Sequence, residues 1–390
     1  MSVVERYLEL GLRVGKHVDD LVESYHGPAQ IAAHVEAEDT VPPDTLIEHA
    51  EALLGDLAPA DLEPARKRWL EAQVRSLHAT TRRAAGESLP HAEEVELTFG
   101  IQPRWHDEQE FARARQLLDE ALPGSGALET RFAGWLAATA IPKDLLLQAL
   151  QSMADDLRAR TRDLVGLPAG ESFELELVSG ENWGGYNLSL DGFRSQVSVN
   201  TDLPFPAANL AHMVAHEGYP GHHTDGAWKE QVLVRERGQL EQTLTLLCAP
   251  SAVVAEGIAE LARELIFDSD EQEVIARHLR PLGIEHDAGL ASRIDDARDP
   301  LDGVGANLAL MRFGQGKSRD EARAYARRWL PYPPERIEKT LDFIDLGPFP
   351  GYVHCYAEGL LLCRAFVRGD AARFKELLTG QFVPADLGGP

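Results

Sequence analysis

The segment HEGYPGHH, residues 216–223, places three histidines and one glutamate within eight positions. Its first two residues, His216 and Glu217, begin like the H-E-x-x-H helix of zinc hydrolases. In that helix two histidines one turn apart bind zinc, and the glutamate beside the first activates water. The residue one turn after His216 is Pro220, which cannot bind a metal. The pattern therefore indicates a metal site whose second ligand must come from elsewhere.

An unbroken helix cannot bring His216 together with either of the later histidines. Six residues turn a helix by about 600°, so that His222 would point away, and His223 would lie about 10 Å further along the axis. The Tyr219–Gly221 segment, however, contains a proline and a glycine, which interrupt helices. We therefore predict a break there that brings His222 to His216 as the second ligand. If His223 approaches His216 instead, the same metal chemistry is expected, with His223 as the second ligand.

A competing pair is formed by His212 and His216, which are spaced i, i+4 and could chelate an ion without any break. Glu217 would then follow the second histidine, an order that fits neither the H-E-x-x-H nor the H-x-x-E-H layout. We therefore interpret His212 as a packed or supporting histidine.

A third ligand is expected from the later segment AEGIAELARE. Its two carboxylates, Glu256 and Glu260, lie four residues apart and hence on one face of a helix. Small residues at 255, 257 and 259 would let this helix approach the metal helix closely. We predict Glu256 as the third ligand and Glu260 as the acceptor for the free N–H of a ligand histidine. Alternatively, the two carboxylates line a solvated face, with Glu260 paired to Arg263.

Mostly helical structure must position these residues. Residues 1–166 read as a series of amphipathic helices. The segments SFELELVSG, GGYNLSLDG and SQVSVNTD alternate apolar and polar residues, which predicts a small antiparallel β-sheet of about three strands. Helices resume after it, one of them opening with a capping box at Ser318 and Glu321 and another with Ser251 as its N-cap. The predicted fold class is mostly α with a small antiparallel sheet.

Two parts are expected within one compact unit: a helical part, residues 1–166, that walls a cleft, and a catalytic part, residues 167–390. The net charge of −25 and the pI of about 4.9 argue against nucleic acid and anionic membranes as partners. Three cysteines without a C-x-x-C pair argue against a disulfide framework and a thiolate zinc site. We find no signal peptide and no stretch apolar enough to span a bilayer, which predicts a cytoplasmic location.

The region from VNTDLPF to HEGYPGHHTD resembles a bacterial family known only as a domain of unknown function, whose signature is V-N-x, H-E-x-x-P-G-H-H and an E-G helix. Its members are regarded as zinc-dependent peptidases of the gluzincin type, and the resemblance covers roughly residues 170 to 390. It implies a zincin-like helical metallopeptidase architecture. The family usually has E-G-W-A where this chain has E-G-I-A, so that Ile258 replaces the aromatic residue.

The segment GYVHCYAEGLL is similar to the glycine–tyrosine segment of thimet-oligopeptidase-like enzymes, in which a tyrosine hydrogen-bonds the oxyanion. The resemblance makes Tyr352 and Tyr356 candidates for that role, with His354 between them; alternatively the tyrosines are core residues with satisfied hydroxyls. By analogy with zincins, QVSVNTD would be an edge strand that pairs with extended substrate, and Asn200 could face the cleft.

Together these patterns predict a zinc-dependent hydrolase with one zinc ion per chain, held by His216, His222 and Glu256. Glu217 would act as general base towards a peptide carbonyl, with Tyr356 stabilising the oxyanion. Glu260, His223, Asn200, Tyr352 and His354 would support the site or contact substrate. A metal-dependent hydrolase of a non-peptide amide or ester, and a non-enzymatic metal-binding helical protein, remain alternatives.

Overall fold

Helices fill most of the first 165 residues in the computed structural model, which describes residues 1–345 and 350–388. Their bounds are α1 Val3–Gly15, α2 Ala29–Ala37, α3 Pro43–Leu57, α4 Pro64–Ala84, α5 His91–Phe99, α6 Glu108–Ala121, α7 Leu128–Ala138 and α8 Lys143–Val165. Local sequence signals set several starts: Ser2 and Glu5 form a capping box at α1, and α3 and α4 begin with proline. The helical prediction for this part is confirmed with one exception.

The exception is β1, Val22–Tyr25, which the apolar periodicity places at the end of the first helix. The chain instead leaves α1 at Gly15, and β1 pairs antiparallel with β5, Leu244–Leu246. Four residues are too few for periodicity to distinguish a strand from a helix. Pairing with a partner far away in the sequence therefore decides the conformation.

The three predicted strands are β2 Ser172–Val178, β3 Gly185–Ser189 and β4 Arg194–Asn200. They form a sheet in the order β2-β4-β3, in which β4 runs antiparallel to β3 and parallel to β2. The expectation that β4 is an edge strand is therefore wrong. Its consecutive residues Val197, Ser198 and Val199 are all buried, which suits a central strand covered on both faces. The two edge strands of this sheet are β2 and β3.

Helices form most of the rest of the chain, and the predicted fold class, mostly α with small sheets, is confirmed. Their bounds are α9 Leu210–Glu217, α10 His222–Lys229, α11 Pro250–Ile266, α12 Glu271–Leu279, α13 Ala288–Arg298, α14 Gly303–Ala309, α15 Arg319–Trp329, α16 Pro334–Ile344, α17 His354–Val367 and α18 Ala371–Thr379. The capping box of Ser318 and Glu321 at α15 is present. Ser251 is not the N-cap of α11: this helix begins one residue earlier, at Pro250, with Ala249 as its cap.

Two glycines bring α11 and α17 into close contact. A Cβ atom on Gly257 would overlap the carbonyl oxygen of Gly359, and one on Gly359 would overlap the carbonyl oxygen of Val253. The small residue at 257 therefore faces α17, and not the metal helix as the sequence suggests. This close crossing brings the start of α17, with Tyr356 and the preceding Tyr352, next to Glu256 on α11.

The largest apolar core joins both parts of the chain. Side chains of α1, α3 and α4 pack in it with those of α11, α17 and α18, including Leu8, Leu70, Val253 and Phe374. The boundary near residue 166 therefore does not separate two cores. Within the described residues, no helix is long and apolar enough to cross a membrane.

Candidate metal centre

The predicted interruption of the metal helix is present. Helix α9 ends at Glu217 and α10 begins at His222, with a cis peptide bond between Tyr219 and Pro220. The amide of Gly221 donates to the carbonyl oxygen of Ala215 at 2.9 Å, so that the connecting segment folds back on the end of α9. A Cβ atom at Gly221 would overlap the carbonyl oxygen of His216. Glycine at this position thus allows the two helices to meet closely.

This fold brings His216, His222 and Glu256 together. Each offers one ligand atom, and the three atoms lie within 4.8 Å of one another. Oε2 of Glu256 is 3.4 Å from Nε2 of His216 and 3.7 Å from Nε2 of His222. The two imidazole rings are 4.8 Å apart, centre to centre, and nearly perpendicular at 84°. Ligand atoms about 2 Å from one tetrahedral ion would be spaced at about 3.3 Å, close to these separations.

One buried oxygen in this cluster has no hydrogen-bond partner. Oε2 of Glu256 makes no hydrogen bond to any described residue, although the side chain is only 5% exposed. Because the two imidazoles lie at ion-pair distance from this oxygen without hydrogen-bonding to it, a cation held between the three groups would compensate for its burial. Two imidazoles and one carboxylate are also a donor set that suits zinc. The residues present therefore fit a zinc ion.

The other side of the His216 ring faces Glu260. Its Nδ1 lies 3.3 Å from Oε1 of Glu260, at ion-pair distance though not aligned as a hydrogen bond. This arrangement leaves Nε2 facing the cluster and puts Glu260 on the side of the ring where the sequence predicts an acceptor. Burial alone would lower the pKa of His216, but Glu256 and Glu260 outweigh it and raise this pKa.

A second group of possible ligands consists of His212, His216 and Glu260. It corresponds to the competing pair seen in the sequence, and it shares His216 with the first group. Only the first group opens to the cleft: His216, His222 and Glu256 line it, together with Glu217. Burial lowers the pKa of His212 to about 4, so this ring is neutral at physiological pH. The orientation towards the cleft favours the first group as the reactive centre.

Glu217 lies beside the cluster with its carboxylate on the wall of the cleft. Burial raises its pKa to about 7, the nearby charges of Glu256 and Glu260 adding to the rise and His216 opposing it. The end of α9 is held by Asn187 of β3, whose side-chain amide donates to the carbonyl oxygen of Glu217 at 2.7 Å. No local pattern in the sequence marks Asn187, because this contact joins segments 30 residues apart.

The two tyrosines of the last part take different positions. The hydroxyl of Tyr352 donates to Oε1 of Glu256 at 2.6 Å, which fixes the predicted ligand carboxylate. Tyr356 lies with its ring 6.2 Å from that of His216 and lines the cleft. Its hydroxyl makes no hydrogen bond with any residue in the described ranges. Tyr356 is therefore the tyrosine available to a bound substrate.

His223 does not join the cluster. Its Nδ1 is 2.7 Å from Oγ of Ser195, and its Nε2 is 3.0 Å from Oε2 of Glu171. Both ring nitrogens are thus occupied on the far side of the helix break. Tyr219 donates to the same oxygen of Glu171 at 2.5 Å. No local pattern in the sequence marks Glu171 either, since its role depends on contacts between distant segments.

Two predicted site residues lie elsewhere. The side-chain amide of Asn200 donates to the carbonyl oxygens of Glu181 and Trp183, both at 2.9 Å, and so holds a loop. His354 is 1% exposed, with its Nε2 3.3 Å from Nε2 of His91. Neither residue lines the cleft. Hydrogen bonds to neighbouring backbone hold Asn200, and helix packing buries His354, so the structure does not bring either residue to the wall of the cleft.

The cleft in front of the cluster has a volume of about 330 Å³. Its walls combine the metal helices with β3, β5 and the start of α17. The N-terminal part contributes the residues Glu23, Ser24, His26 and Trp69. The part predicted to wall the cleft thus does so mainly through β1 and the residues beside it.

Comparison with known proteins relates the fold to two solved structures. No family model and no curated protein matches the chain. A crystal structure described as a "putative lipoprotein" from Colwellia psychrerythraea is similar over 91% of this chain and 70% of its own, with 13% identity and a TM-score of 0.51. A second, described as a "putative lipoprotein of unknown function" from Shewanella oneidensis, matches over 92% and 74%, with 10% identity and a TM-score of 0.51. At these identities the similarity concerns the fold alone.

Proposed function

We propose that this protein is a zinc-dependent hydrolase that cleaves short peptides. One observation carries the proposal: His216, His222 and Glu256 converge at the cleft, and a buried oxygen of Glu256 makes no hydrogen bond to the described residues. The adjoining Glu217 supplies the carboxylate that hydrolysis by activated water requires. The resemblance of the sequence to gluzincin-type peptidases points to the same chemistry.

The three predicted ligands would hold one zinc ion, which supplies a Lewis acid that acidifies water and polarises a carbonyl group. Glu217 would accept a proton from the attacking water and pass it to the leaving nitrogen, a role that its position on the wall of the cleft beside His216 suits. Tyr352 holds Glu256 in place through its hydroxyl. Tyr356 donates its free hydroxyl to the oxygen on which negative charge develops.

A peptide is the substrate that best matches the walls of the cleft. Strand β3 is an edge strand, and Gly185, Tyr186, Asn187 and Ser189 line the cleft. Its outer backbone groups offer an extended peptide the hydrogen bonds of an added strand. The volume of about 330 Å³ lies at the small end of ligand sites and favours short peptides over folded chains.

The test is the isosteric change Glu217→Gln in the zinc-loaded protein, assayed with a library of short peptides. We expect wild type to cleave peptides of the library, which is detected by the new amino groups that each cleavage creates. The variant should keep its zinc and lose at least about 100-fold in kcat, the usual contribution of a general base. Glu174→Gln, which alters an exposed carboxylate on β2, serves as the control and should behave as wild type. Equal rates in Glu217→Gln and wild type would refute the proposal.

For the location in the cell we propose the cytoplasm. The three cysteines, Cys248, Cys355 and Cys363, are all free and buried, which agrees with a reducing compartment. Fractionation of cells that make the protein, followed by immunoblotting, tests this: recovery in the membrane or periplasmic fraction would contradict it.

A further inference from the structure

One carboxylate on the wall of the cleft takes no part in the proposed chemistry. Glu23 lies in β1, where the pairing with β5 shifts register: Val22 pairs with Leu246, whereas Ser24 pairs with Thr245. Glu23 is thus the extra residue of a β-bulge. Bulges redirect side chains and are frequent beside active sites. Here the bulged residue lines the cleft.

Glu23 has no cationic partner within the described parts of the chain. Its polar neighbour is the hydroxyl of Tyr186 on β3, which lies close enough to lower the pKa of Glu23. Burial raises the pKa of Glu23 to about 7, and the charges of Glu256 and Glu217 add to the rise. A carboxylate enclosed in this way, with other carboxylates near it, is costly to the folded protein unless a cation binds there.

The other charged residues of the cleft are already paired. Lys229 forms an ion pair with Asp225 at 2.6 Å, and Glu230 forms one with Arg235 at 2.8 Å. Glu217 and Glu256 belong to the proposed zinc site. Among the carboxylates that line the cleft, Glu23 is therefore the one that has no cationic partner among the described residues and no role in the proposed zinc site.

We propose that Glu23 binds an ammonium group of the substrate and so selects peptides that carry a positive charge close to the cleaved bond. This inference rests on the proposed function for the identity of the substrate. The geometry supports it: β1 and β3 lie on the same cleft as Glu217, so that a peptide placed along β3 passes Tyr186 and Glu23. The ammonium group could be the amino terminus of the peptide or a lysine side chain.

Binding to the zinc-loaded Glu217→Gln protein tests the inference, because the peptide then remains uncleaved. The probes are tetraalanine amide, its N-acetylated form, and acetylated peptides with lysine or norleucine at one position, measured by calorimetry. We expect one charged probe to bind about 10- to 100-fold more tightly than its neutral counterpart, as for one charge-assisted hydrogen bond. Which charged probe does so identifies the source of the ammonium group.

Adding Glu23→Gln should remove this preference, whereas Glu230→Gln, at a carboxylate that Arg235 already neutralises, should leave it intact. Equal binding of charged and neutral probes, no binding of any probe, or a preference that survives Glu23→Gln would overturn the inference. A melting curve establishes whether Glu23→Gln is folded. If it is not, the comparison of charged and neutral probes on the Glu217→Gln protein, which retains Glu23, still tests the inference. Failure of wild type to cleave any peptide, with the charge preference retained, would instead refute only the proposed function.

Discussion

Removal of Glu171 tests whether the helix break that brings His216 to His222 depends on contacts behind it. Glu171 is 2% exposed and accepts hydrogen bonds from Tyr219 and His223, the residues that flank the break. Its other oxygen accepts from Arg158 at 2.9 and 2.6 Å. Burial alone would raise the pKa of Glu171, but these three donors outweigh it and lower the pKa. The carboxylate is thus ionised and fully engaged.

Glu171→Ala leaves two buried donors without an acceptor. Tyr219 and His223 are each 3% exposed, and each stranded group costs about 1–3 kcal/mol. Arg158 is 40% exposed at its side chain and regains water, so its loss adds little. We therefore expect the free energy of unfolding to fall by about 2–6 kcal/mol, which spans the range for breaking a buried ion pair. Because His222 adjoins the loosened segment, zinc should bind about 10- to 100-fold more weakly.

The assays are urea unfolding and competition for zinc with a chelator of known affinity. Glu174→Ala is the matched control: this glutamate lies three residues further on, in β2, and is exposed, so its loss should change stability by less than about 0.5 kcal/mol. A change below about 1 kcal/mol for Glu171→Ala, or zinc affinity equal to that of wild type, would refute the reasoning.

Two further predictions concern the same region and the buried histidines. Gly221→Ala should destabilise the chain by about 1–3 kcal/mol and weaken zinc binding, because its Cβ would overlap the His216 carbonyl oxygen. The control is Gly226→Ala in α10, where a Cβ meets open space, so that neither stability nor zinc binding should fall. Equal zinc affinities of the two variants would contradict this prediction. Burial lowers the pKa of His354 to about 3, so that below about pH 6.5 it takes up a proton only on unfolding. The contribution of His354 to the free energy of unfolding is therefore complete above pH 6.5 and falls by up to about 1.4 kcal/mol per pH unit towards pH 4. His354→Gln should reduce this dependence on pH, measured by urea unfolding at several pH values. The same pH dependence in His354→Gln and wild type would contradict the prediction.

The features that the sequence predicted well are those that short segments encode. Pro220 and Gly221 interrupt α9 whatever the rest of the chain does, so the convergence of His216 and His222 could be worked out from spacing. The capping box at Ser318 is equally local. Glu256 was placed correctly next to His216 because two carboxylates in an apolar segment need a cationic partner.

The features that were missed depend on contacts between distant segments. Glu171, just before β2, and Asn187, on β3, support the site, and no local pattern marks them. Glu23 reaches the cleft through a strand that forms only because β5 pairs with it. His354 has the same spacing from the tyrosines whether it faces the cleft or the interior, and helix packing decides between the two.

The metal content of the purified protein tests the central claim most directly. We predict about one zinc per chain by elemental analysis, retained in His212→Ala and lost in both His216→Ala and His222→Ala. Each variant should be shown to be folded by its melting curve. Absence of metal from wild type after zinc is supplied, or zinc retained in His222→Ala but lost in His212→Ala, would contradict the account.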